Sequence, residues 1–396
     1  MPQRRIRAVF MRGGTSRALF FHAADLPPDP RERDRILLAA LGSPDPYGRQ
    51  LDGLGGGISS LSKAVIVGPP SHPQADVDYT FAQVDVGKPL VDYKGNCGNC
   101  TSAVGPFAID ETLVPAVEPI TTVRLYNTNT KKLVVARVPV AGGEVAVEGD
   151  FELQGVPGRG ARIALDFLDP GGAVTGKLLP TGRPRDTLDV AGFGAIEASL
   201  VDATNPMVFV RAKDLGLLGT ESPEAIDRDV ALLNRLEAIR VAGAALMKVQ
   251  GSPAIPKVAF VAPAASYRIL DGREIPAREV NLVARVISMG RCHRAFALTA
   301  AMCLAVAARI DGTVVAESLS PPHLNPLPPG GEGRVRGSAQ GEGDLRLGHP
   351  SGVLPIAALV ERGSSDSPVA RQVTVYRTAR RLMEGFIRVP ETKKGA

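Results

Sequence analysis

The sequence predicts an α/β (α+β) protein with two similar domains, each a curved, mostly antiparallel sheet wrapped around a central helix. Three observations carry this prediction. The chain has 396 residues, which is too long for one ordinary core. Short β-rich runs separated by turn residues recur through its first half. The two halves also repeat one layout, in which a polar turn is followed by an apolar helix and then by strands.

The composition is that of a water-soluble globular protein. Hydrophobic residues make up 44% of the chain and charged residues 22%. The longest uncharged apolar run, residues 295–308, is shorter than the roughly 18 residues that a membrane span needs, so we expect a buried helix there. The N-terminal residues 1–14 lack the apolar region of a signal peptide, and we therefore expect a cytoplasmic protein that does not bind membranes.

The charge pattern favours a small anionic ligand over a nucleic acid. The net charge is +5, with basic residues scattered along the chain and aromatic residues at only 5%. Nucleic-acid binding would require clustered basic residues with interleaved aromatic side chains. Four cysteines in a chain of this length do not form a disulfide framework.

Residue patterns predict the individual elements. Strands are expected over 5–11, 63–68, 78–86, 122–128, 132–140, 144–151, 161–168 and 312–317, and helices over 31–42, 101–113, 222–247 and 293–310. Pro106 would have to fall in or near the first turns of its helix, because proline is tolerated there.

The repeated layout places the domain boundary. GNCGNC (95–100) precedes the helix 101–113, as SMGRCHRA (288–295) leads into the helix 293–310. Strand motifs at 11–21 and 202–210 come earlier in the two halves. The turn-rich residues 181–187 then divide the chain into domains 1–185 and 186–380, with residues 380–396 packed on the first domain. Residues 318–342 are rich in proline and glycine and predict a disordered insertion.

Cys97 and Cys100 raise the question of a metal site, a redox pair or a single reactive thiol. Zinc is disfavoured because Cys292 and Cys303 are not spaced as a second C-x-x-C pair and no H-x₃₋₅-H follows. A thiol at a helix N-terminus fits Cys97 best, since the helix dipole favours a thiolate or a bound anion there. Cys100 and Cys303 are expected to be small buried hydrophobes.

Lys63 follows a glycine-rich loop but does not match a nucleotide-binding P-loop. A lysine at the start of an apolar strand is either a desolvated base or a solvated strand-end residue. Thr15 and Ser16 lie in MRGGTSR (11–17), which could form an anion-binding turn. His293 and Ser351 lie in polar turns and are further candidates for substrate binding. The structural alternative is helix capping for His293 and an ordinary β-turn for Ser351.

Several of these motifs together resemble the PrpF family. They are MRGGTSR, GSPDPYGRQLDGLGGGISSLSKAVIV, DVDYTFAQV, GNCGN, PTG, SMGRCHRA and RLGHPSG, and they occur in the order of that family along nearly the whole chain. The resemblance implies a diaminopimelate-epimerase-like fold with the active site between the two domains. It further implies a homodimer and no metal, pyridoxal phosphate or nucleotide cofactor.

The resemblance also implies the site residues. Lys63 and Cys97 correspond to the family's catalytic lysine and cysteine. We expect the substrate carboxylates to bind at two helix N-termini and at nearby polar side chains, which together comprise Thr15, Ser16, Asn96, Gly98, Asn99, Met289, Gly290, His293 and Ser351. Cys100 is expected to be incidental, so that its replacement by alanine would be nearly silent, although oxidation could join it to Cys97.

The implied activity is cofactor-independent isomerisation of a small unsaturated tricarboxylate by proton transfer, with 2-methylaconitate cis–trans isomerisation in propionate catabolism as the main hypothesis. A 4-oxalomesaconate tautomerase is the first alternative. An amino-acid racemase is the second, and it would need another catalytic cysteine, such as Cys292, opposite Cys97. A non-catalytic partner of an aconitase-like enzyme is the third.

Overall fold

A computed structural model describes residues 3–249, 255–319, 344–363 and 367–390. The chain divides into two compact units. The first, here the outer-sequence unit, contains the residues up to Leu168 and those from Tyr376 onward, and the second, the central unit, is Asp169–Val375. The sequence prediction had placed the division near residue 185, with the C-terminal tail returning to the first domain from about residue 380.

The elements follow one another along the chain. The strands up to Leu168 are β1 (Gln3–Gly13), β2 (Ser16–His22), β3 (Lys63–Gly68), β4 (Val77–Val84), β5 (Val91–Asp92), β6 (Ile120–Asn127), β7 (Lys132–Ala141), β8 (Glu144–Val145), β9 (Phe151–Glu152), β10 (Arg159–Gly160) and β11 (Ile163–Leu168). The helices there are α1 (Pro30–Leu41) and α2 (Gly98–Asp110).

The remaining strands are β12 (Asp186–Val190), β13 (Gly194–Ala203), β14 (Asn205–Arg211), β15 (Lys257–Pro263), β16 (Tyr267–Arg268), β17 (Glu274–Ile275), β18 (Leu282–Ser288), β19 (Arg291–Cys292), β20 (Leu345–His349), β21 (Gly352–Arg362), β22 (Pro368–Arg377) and β23 (Ala379–Pro390). The helices are α3 (Pro223–Arg228), α4 (Val230–Leu246), α5 (Leu298–Ala307) and α6 (Val314–Glu317).

In the outer-sequence unit a mixed sheet curves around α2. Strand β1 pairs antiparallel with β2 and with β23, and β2 continues in parallel to β3. The sheet then runs through β4, β6 and β7 to β11. The helix contacts strands along this whole path, including β1, β2, β7 and β23. All of its residues from Cys100 to Ile109 are buried, because the sheet surrounds them.

The central unit repeats this arrangement around α5. Its sheet runs from β12 through β13 and β14, continues in parallel to β15, and then passes through β18, β20 and β21 to β22. Helix α5 contacts β13, β14 and β21, and every residue from Ala300 to Ala307 is buried. A helix that is apolar all round requires such an enclosure. The predicted α/β fold class, with a sheet around a central helix, is confirmed.

Several predicted element bounds were wrong. Helix α2 begins at Gly98 rather than residue 101, so Pro106 lies in the interior of the helix. The predicted helix 222–247 breaks at Asp229, whose side chain accepts a hydrogen bond from the backbone N–H of Leu232 and so begins a new helix. Helix α5 begins only at Leu298, five residues later than predicted.

The predicted strand 312–317 was also wrong, because residues Val314–Glu317 form the short helix α6. The hydroxyl of Thr313 accepts a hydrogen bond from the backbone N–H of Ala316 at 3.0 Å and caps this helix. Nearly all of the predicted insertion 318–342 lies outside the described residues. In the part of the chain that the structure describes, no helix is both long and apolar enough to cross a membrane.

Candidate active site

Cys97 lies at the N-cap position of the central helix α2. Its backbone N–H donates to Oδ1 of Asn96 at 2.7 Å, and its carbonyl accepts a hydrogen bond from the N–H of Thr101 at 2.9 Å. Asn96 is held in turn by Tyr79, whose hydroxyl accepts from Nδ2 of Asn96 at 3.1 Å. The backbone of Cys97 is therefore held in place. Its thiol lies beside the N-terminal N–H groups of the helix, at the positive end of the helix dipole.

The environment lowers the pKa of Cys97 to about 5. The largest cause is hydrogen bonding from the Cys100 side chain; burial opposes it, and the positive charge of Lys63 lowers the pKa further. The hydroxyl of Ser16, 4.0 Å from the sulfur, acts in the same direction. Cys97 is therefore a thiolate at neutral pH, which is the reactive form of a cysteine.

Cys100 is buried, as the sequence predicts, and it also interacts with Cys97. It is buried at the third position of α2, one turn from the N-cap, where its side chain faces that of Cys97. The interaction raises the pKa of Cys100 well above its ordinary value while it lowers that of Cys97. The Cys100 thiol therefore keeps its proton and favours the thiolate form of Cys97.

Lys63 is the first residue of β3 and is only 7% exposed, so the solvated strand-end alternative is wrong. Its Nζ donates to Oε1 of Gln83 at 2.5 Å. The amide of Gln83 is oriented by two further bonds, because its Nε2 donates to the carbonyls of Ser59 (3.0 Å) and Ser62 (2.9 Å). The ammonium also lies 5.0 Å from the centre of the Phe81 ring.

A neutral amide is thus the hydrogen-bond acceptor for this buried ammonium. Lys63 forms no ion pair with any carboxylate in the described ranges. Its charge acts instead on the Cys97 sulfur. A salt bridge would hold the ammonium in place and neutralise its field, whereas an amide leaves both the proton and the charge usable for catalysis.

The glycine-rich loop before Lys63 is held by Gln50, which is 1% exposed. Its Nε2 donates to the hydroxyl of Ser62 at 2.8 Å, and its Oε1 accepts from the backbone N–H of Gly57 at 2.9 Å. The loop is thereby tied to the residue that immediately precedes Lys63. Gln50 thus helps to position the residues next to Lys63.

The turn between β1 and β2 packs against the first residues of α2. Asn99 donates from Nδ2 to the hydroxyl of Thr15 at 3.0 Å. A Cβ atom on Gly13 would lie 2.4 Å from the carbonyl oxygen of Asn99, and one on Gly14 would lie 2.3 Å from its Oδ1. Two glycines are therefore needed for this close approach, which brings Thr15 and Ser16 to the mouth of the helix.

Arg377 joins the same cluster, and the sequence patterns did not point to it. Its Nε donates to Oδ1 of Asn99 at 3.0 Å, although the two residues are 278 positions apart in the chain. Burial lowers the pKa of Arg377 to about 10, and the negative charge of Cys97 opposes this shift. Of the proposed site residues, Thr15, Ser16, Lys63, Asn96, Cys97, Gly98 and Asn99 thus lie in one neighbourhood of the outer-sequence unit.

The remaining proposed residues lie in the central unit. Met289 and Gly290 form the two-residue turn between β18 and β19, both with positive φ (53° and 75°). The sequence had suggested that these two residues lie at a helix N-terminus. That prediction was wrong, because α5 starts only at Leu298. His293 and Ser351 are close together, since the Ser351 hydroxyl donates to the carbonyl of Arg294 at 2.6 Å. Burial lowers the pKa of His293, which favours the neutral imidazole.

No group of three or more histidine, cysteine or acidic side chains is placed to hold a metal ion within the described residues. The chemistry available in the outer-sequence unit is that of a thiolate, an ammonium and a guanidinium around the N-terminus of a helix. Such a group can bind carboxylates and transfer protons.

The chain is similar over nearly its whole length to several proteins that are named isomerases or tautomerases. The chain is 44% identical over 400 residues to the 3-methylitaconate isomerase of Eubacterium barkeri, covering 99% of both chains. It is 40% identical to the 2-methyl-aconitate isomerase of Shewanella oneidensis, covering 98% of each. The 4-oxalomesaconate tautomerase of Pseudomonas putida is 36% identical, with 98% of this chain and 97% of the relative covered.

Solved structures give the same result for the fold. The crystal structure of methylitaconate-delta-isomerase matches with a TM-score of 0.87 and 42% identity, covering 98% of this chain and 96% of that one. A probable proline racemase from Agrobacterium radiobacter K84 matches at 13% identity and a TM-score of 0.50, covering 96% and 92%, and so supports the fold alone. The sequence profile of the PrpF protein matches residues 3–390. This chain is a member of the PrpF family.

Proposed function

We propose that this PrpF-family isomerase acts without a cofactor on a small unsaturated tricarboxylate, with 2-methylaconitate as the substrate. The observation that carries the proposal is the environment of Cys97, a thiolate at a helix N-terminus in the field of the buried Lys63. The identity of about 40% to 2-methyl-aconitate isomerases over almost the whole chain supports the choice of substrate.

The reaction requires proton transfer at carbon. A proton is removed from the carbon that is α to a carboxylate, or γ to it through the double bond, and the electrons spread into a dienolate-like anion. The former double bond can then rotate or shift before a proton returns. Lys63 and Cys97 are the two groups that can exchange protons with these carbons. The N–H groups of Gly98 and Asn99 and the hydroxyls of Thr15 and Ser16 would stabilise the negative charge.

The racemase alternative is less well supported, because it requires a second catalytic thiol opposite Cys97. The N-cap of α2 is Cys97, but the corresponding N-cap of α5 is Ala297. Cys292 lies five residues earlier in β19, where it is 4% exposed and where burial raises its pKa to about 12.

A 3-methylitaconate isomerase is the second candidate. It is favoured by the 44% identity to the Eubacterium barkeri enzyme and by the TM-score of 0.87. The two candidates differ chemically, because an itaconate carries two carboxylates and an aconitate three. The tautomerase is a more distant relative at 36% identity. A purely structural partner of an aconitase-like enzyme would have no use for a thiolate next to a buried ammonium.

An ultraviolet absorbance assay of the purified protein tests the proposal. We expect the highest kcat/KM with 2-methylaconitate, compared with 3-methylitaconate and 4-oxalomesaconate. The Lys63→Met and Cys97→Ser variants should lose a factor on the order of 10²–10⁴, as expected when a proton-transfer group is removed. Preference for one of the other two acids would reassign the substrate, and no turnover of any of them would reject the isomerase proposal.

The proposal includes a cytoplasmic homodimer, which is supported by the resemblance to the family. Light scattering of the purified protein should give twice the mass of the chain. A mass equal to one chain would contradict the dimer without affecting the assignment of Lys63 and Cys97, which both belong to the outer-sequence unit.

A further inference from the structure

We propose that Arg377 is the residue that binds a carboxylate of the substrate beside Cys97. This inference rests on the proposed function, because it takes the ligand to be a polycarboxylate. It assigns a specific role to a residue that lies far from the other site residues in sequence. It also predicts which part of the substrate is recognised in the outer-sequence unit.

The first argument is a buried positive charge that has no carboxylate partner among the described residues. Arg377 is 5% exposed, yet it forms no ion pair with a carboxylate within the described ranges. Its pKa, lowered by burial to about 10, still leaves it cationic at neutral pH. A buried cation is costly unless it is paired and hydrogen-bonded, so a carboxylate bound here would stabilise it further.

The second argument is the orientation of the guanidinium group. Nε donates to Oδ1 of Asn99 at 3.0 Å, and Nη1 donates to the carbonyl of Tyr376 at 2.7 Å. Asn99 is fixed in turn, because its Nδ2 donates to Thr15. The plane of the guanidinium is thus fixed, while Nη2 makes no hydrogen bond to any described residue. A planar guanidinium group that is fixed in orientation and still has an N–H donor available is suited to binding a carboxylate.

The third argument is the local balance of charge. The positive charges of Lys63 and Arg377 both interact with the Cys97 sulfur, and within the described residues neither forms an ion pair with a carboxylate. These two charges exceed the single negative charge of the thiolate, and the N-terminus of α2 adds its dipole to the surplus. A carboxylate bound at Arg377 would neutralise that surplus and place the adjoining carbon atoms close to the sulfur.

The fourth argument is that the surrounding backbone is shaped to admit this side chain. A Cβ atom on Gly14 would lie 3.1 Å from Cδ of Arg377 as well as 2.3 Å from Oδ1 of Asn99. The glycine turn therefore leaves room for both side chains at once. Arg377 is a built part of the site rather than a surface residue that happens to lie nearby.

Isothermal titration calorimetry of the full-length protein with trans-aconitate tests the inference. Arg377→Met keeps the apolar stem but removes the charged fork, and we expect it to raise the Kd by about 10- to 100-fold, as for the loss of a charged hydrogen bond. Arg380→Met is the matched control, since Arg380 is exposed three residues away, and its Kd should stay within about twofold of the wild type. With substrate, the loss in Arg377→Met should fall mainly on KM.

Arg377→Lys decides the matter if the methionine variant does not fold, as judged by circular dichroism. Lysine keeps the charge but cannot donate both to Asn99 and to a bidentate carboxylate, so we expect a several-fold weaker Kd. Wild-type affinity in a folded Arg377→Met protein, or in Arg377→Lys, would overturn the inference while leaving the isomerase proposal intact. A wild-type protein that neither binds trans-aconitate nor turns over any of the three acids would instead reject the proposed function itself.

Discussion

At the residue scale, Cys97 and Cys100 are two neighbouring thiols with very different pKa values. Both lie in the first turn of α2, but Cys97 is at its open end and Cys100 is enclosed by the sheet. The enclosed thiol keeps its proton and donates toward the other, so the pKa values of the two groups move apart. The positive charge of Lys63 then favours the thiolate of Cys97 further.

The rate of alkylation by iodoacetamide measures this directly, because only the thiolate reacts. Since the pKa of Cys97 is lowered to about 5, the rate should be maximal above that pH and fall as the pH drops through about 5. Cys292 and Cys303 should not interfere, because burial raises the pKa of both. Mass spectrometry of tryptic peptides identifies the modified cysteine.

Cys100→Ala and Lys63→Met should each move the midpoint of this profile to higher pH, since each removes one cause of the shift. Arg380→Met is a suitable control, because it changes one exposed charge only. A wild-type midpoint at the pH of an ordinary thiol, or an unchanged midpoint in Cys100→Ala, would contradict the description of the pair.

At the element scale the site depends on the contact between the β1–β2 turn and the start of α2. Gly14 has a φ of +52° and would place any Cβ atom 2.3 Å from Oδ1 of Asn99. Gly142, in the turn between β7 and β8, has a similar φ of +63° but open space around it. Substitution of Gly142 would therefore introduce backbone strain alone, whereas substitution of Gly14 would introduce the same strain and also disrupt the close contact with Asn99.

Gly14→Ala should consequently lower the free energy of unfolding by about 1–3 kcal/mol more than Gly142→Ala does, because only the first variant also overpacks its surroundings. Chemical denaturation of both variants gives the comparison. Activity should fall in Gly14→Ala alone, since its added methyl group displaces Asn99. Equal destabilisation by the two substitutions would show that the contact with α2 is unimportant.

Local patterns predicted the existence of most elements but not the contacts that end them. Hydrophobic periodicity located α1 and α4, and the two central helices were expected from a Thr/Ser start and from a run that is apolar all round. Such patterns could not show that a new helix begins after Asp229, or that Val314–Glu317 form a helix capped by Thr313. Both outcomes depend on single hydrogen bonds between a side chain and the backbone. In the same way Pro106 is tolerated inside α2, where the surrounding sheet stabilises the helix.

The site was predictable to the extent that it is local in sequence. Lys63 and Cys97 stand in recognisable motifs, and Lys63 is buried and its positive charge lowers the pKa of Cys97. Arg377 was missed because it reaches Asn99 across 278 residues, and no local pattern encodes such a contact. The influence of Cys100 was missed because a cysteine in an apolar helix resembles any small hydrophobe until its neighbour is known.

At the scale of the whole molecule, the two units repeat one architecture with different chemistry. In each unit a turn contacts the second residue of the central helix: Thr15 bonds to Asn99, and the Thr204 hydroxyl donates to the carbonyl of Thr299 at 2.8 Å. The N-cap residue of α2 is Cys97, whereas that of α5 is Ala297. The repeat thus preserves the fold, while the two groups to which we assign proton transfer, Lys63 and Cys97, both belong to the outer-sequence unit.

The exchange of substrate hydrogen with solvent tests the central claim most directly. Proton NMR of 2-methylaconitate in D₂O should show deuterium entering the isomerised acid with the wild-type enzyme, because the proton passes through a solvent-exchangeable group. Lys63→Met and Cys97→Ser should slow both isomerisation and exchange by at least about 100-fold while remaining folded. Undiminished exchange in either folded variant would contradict the account.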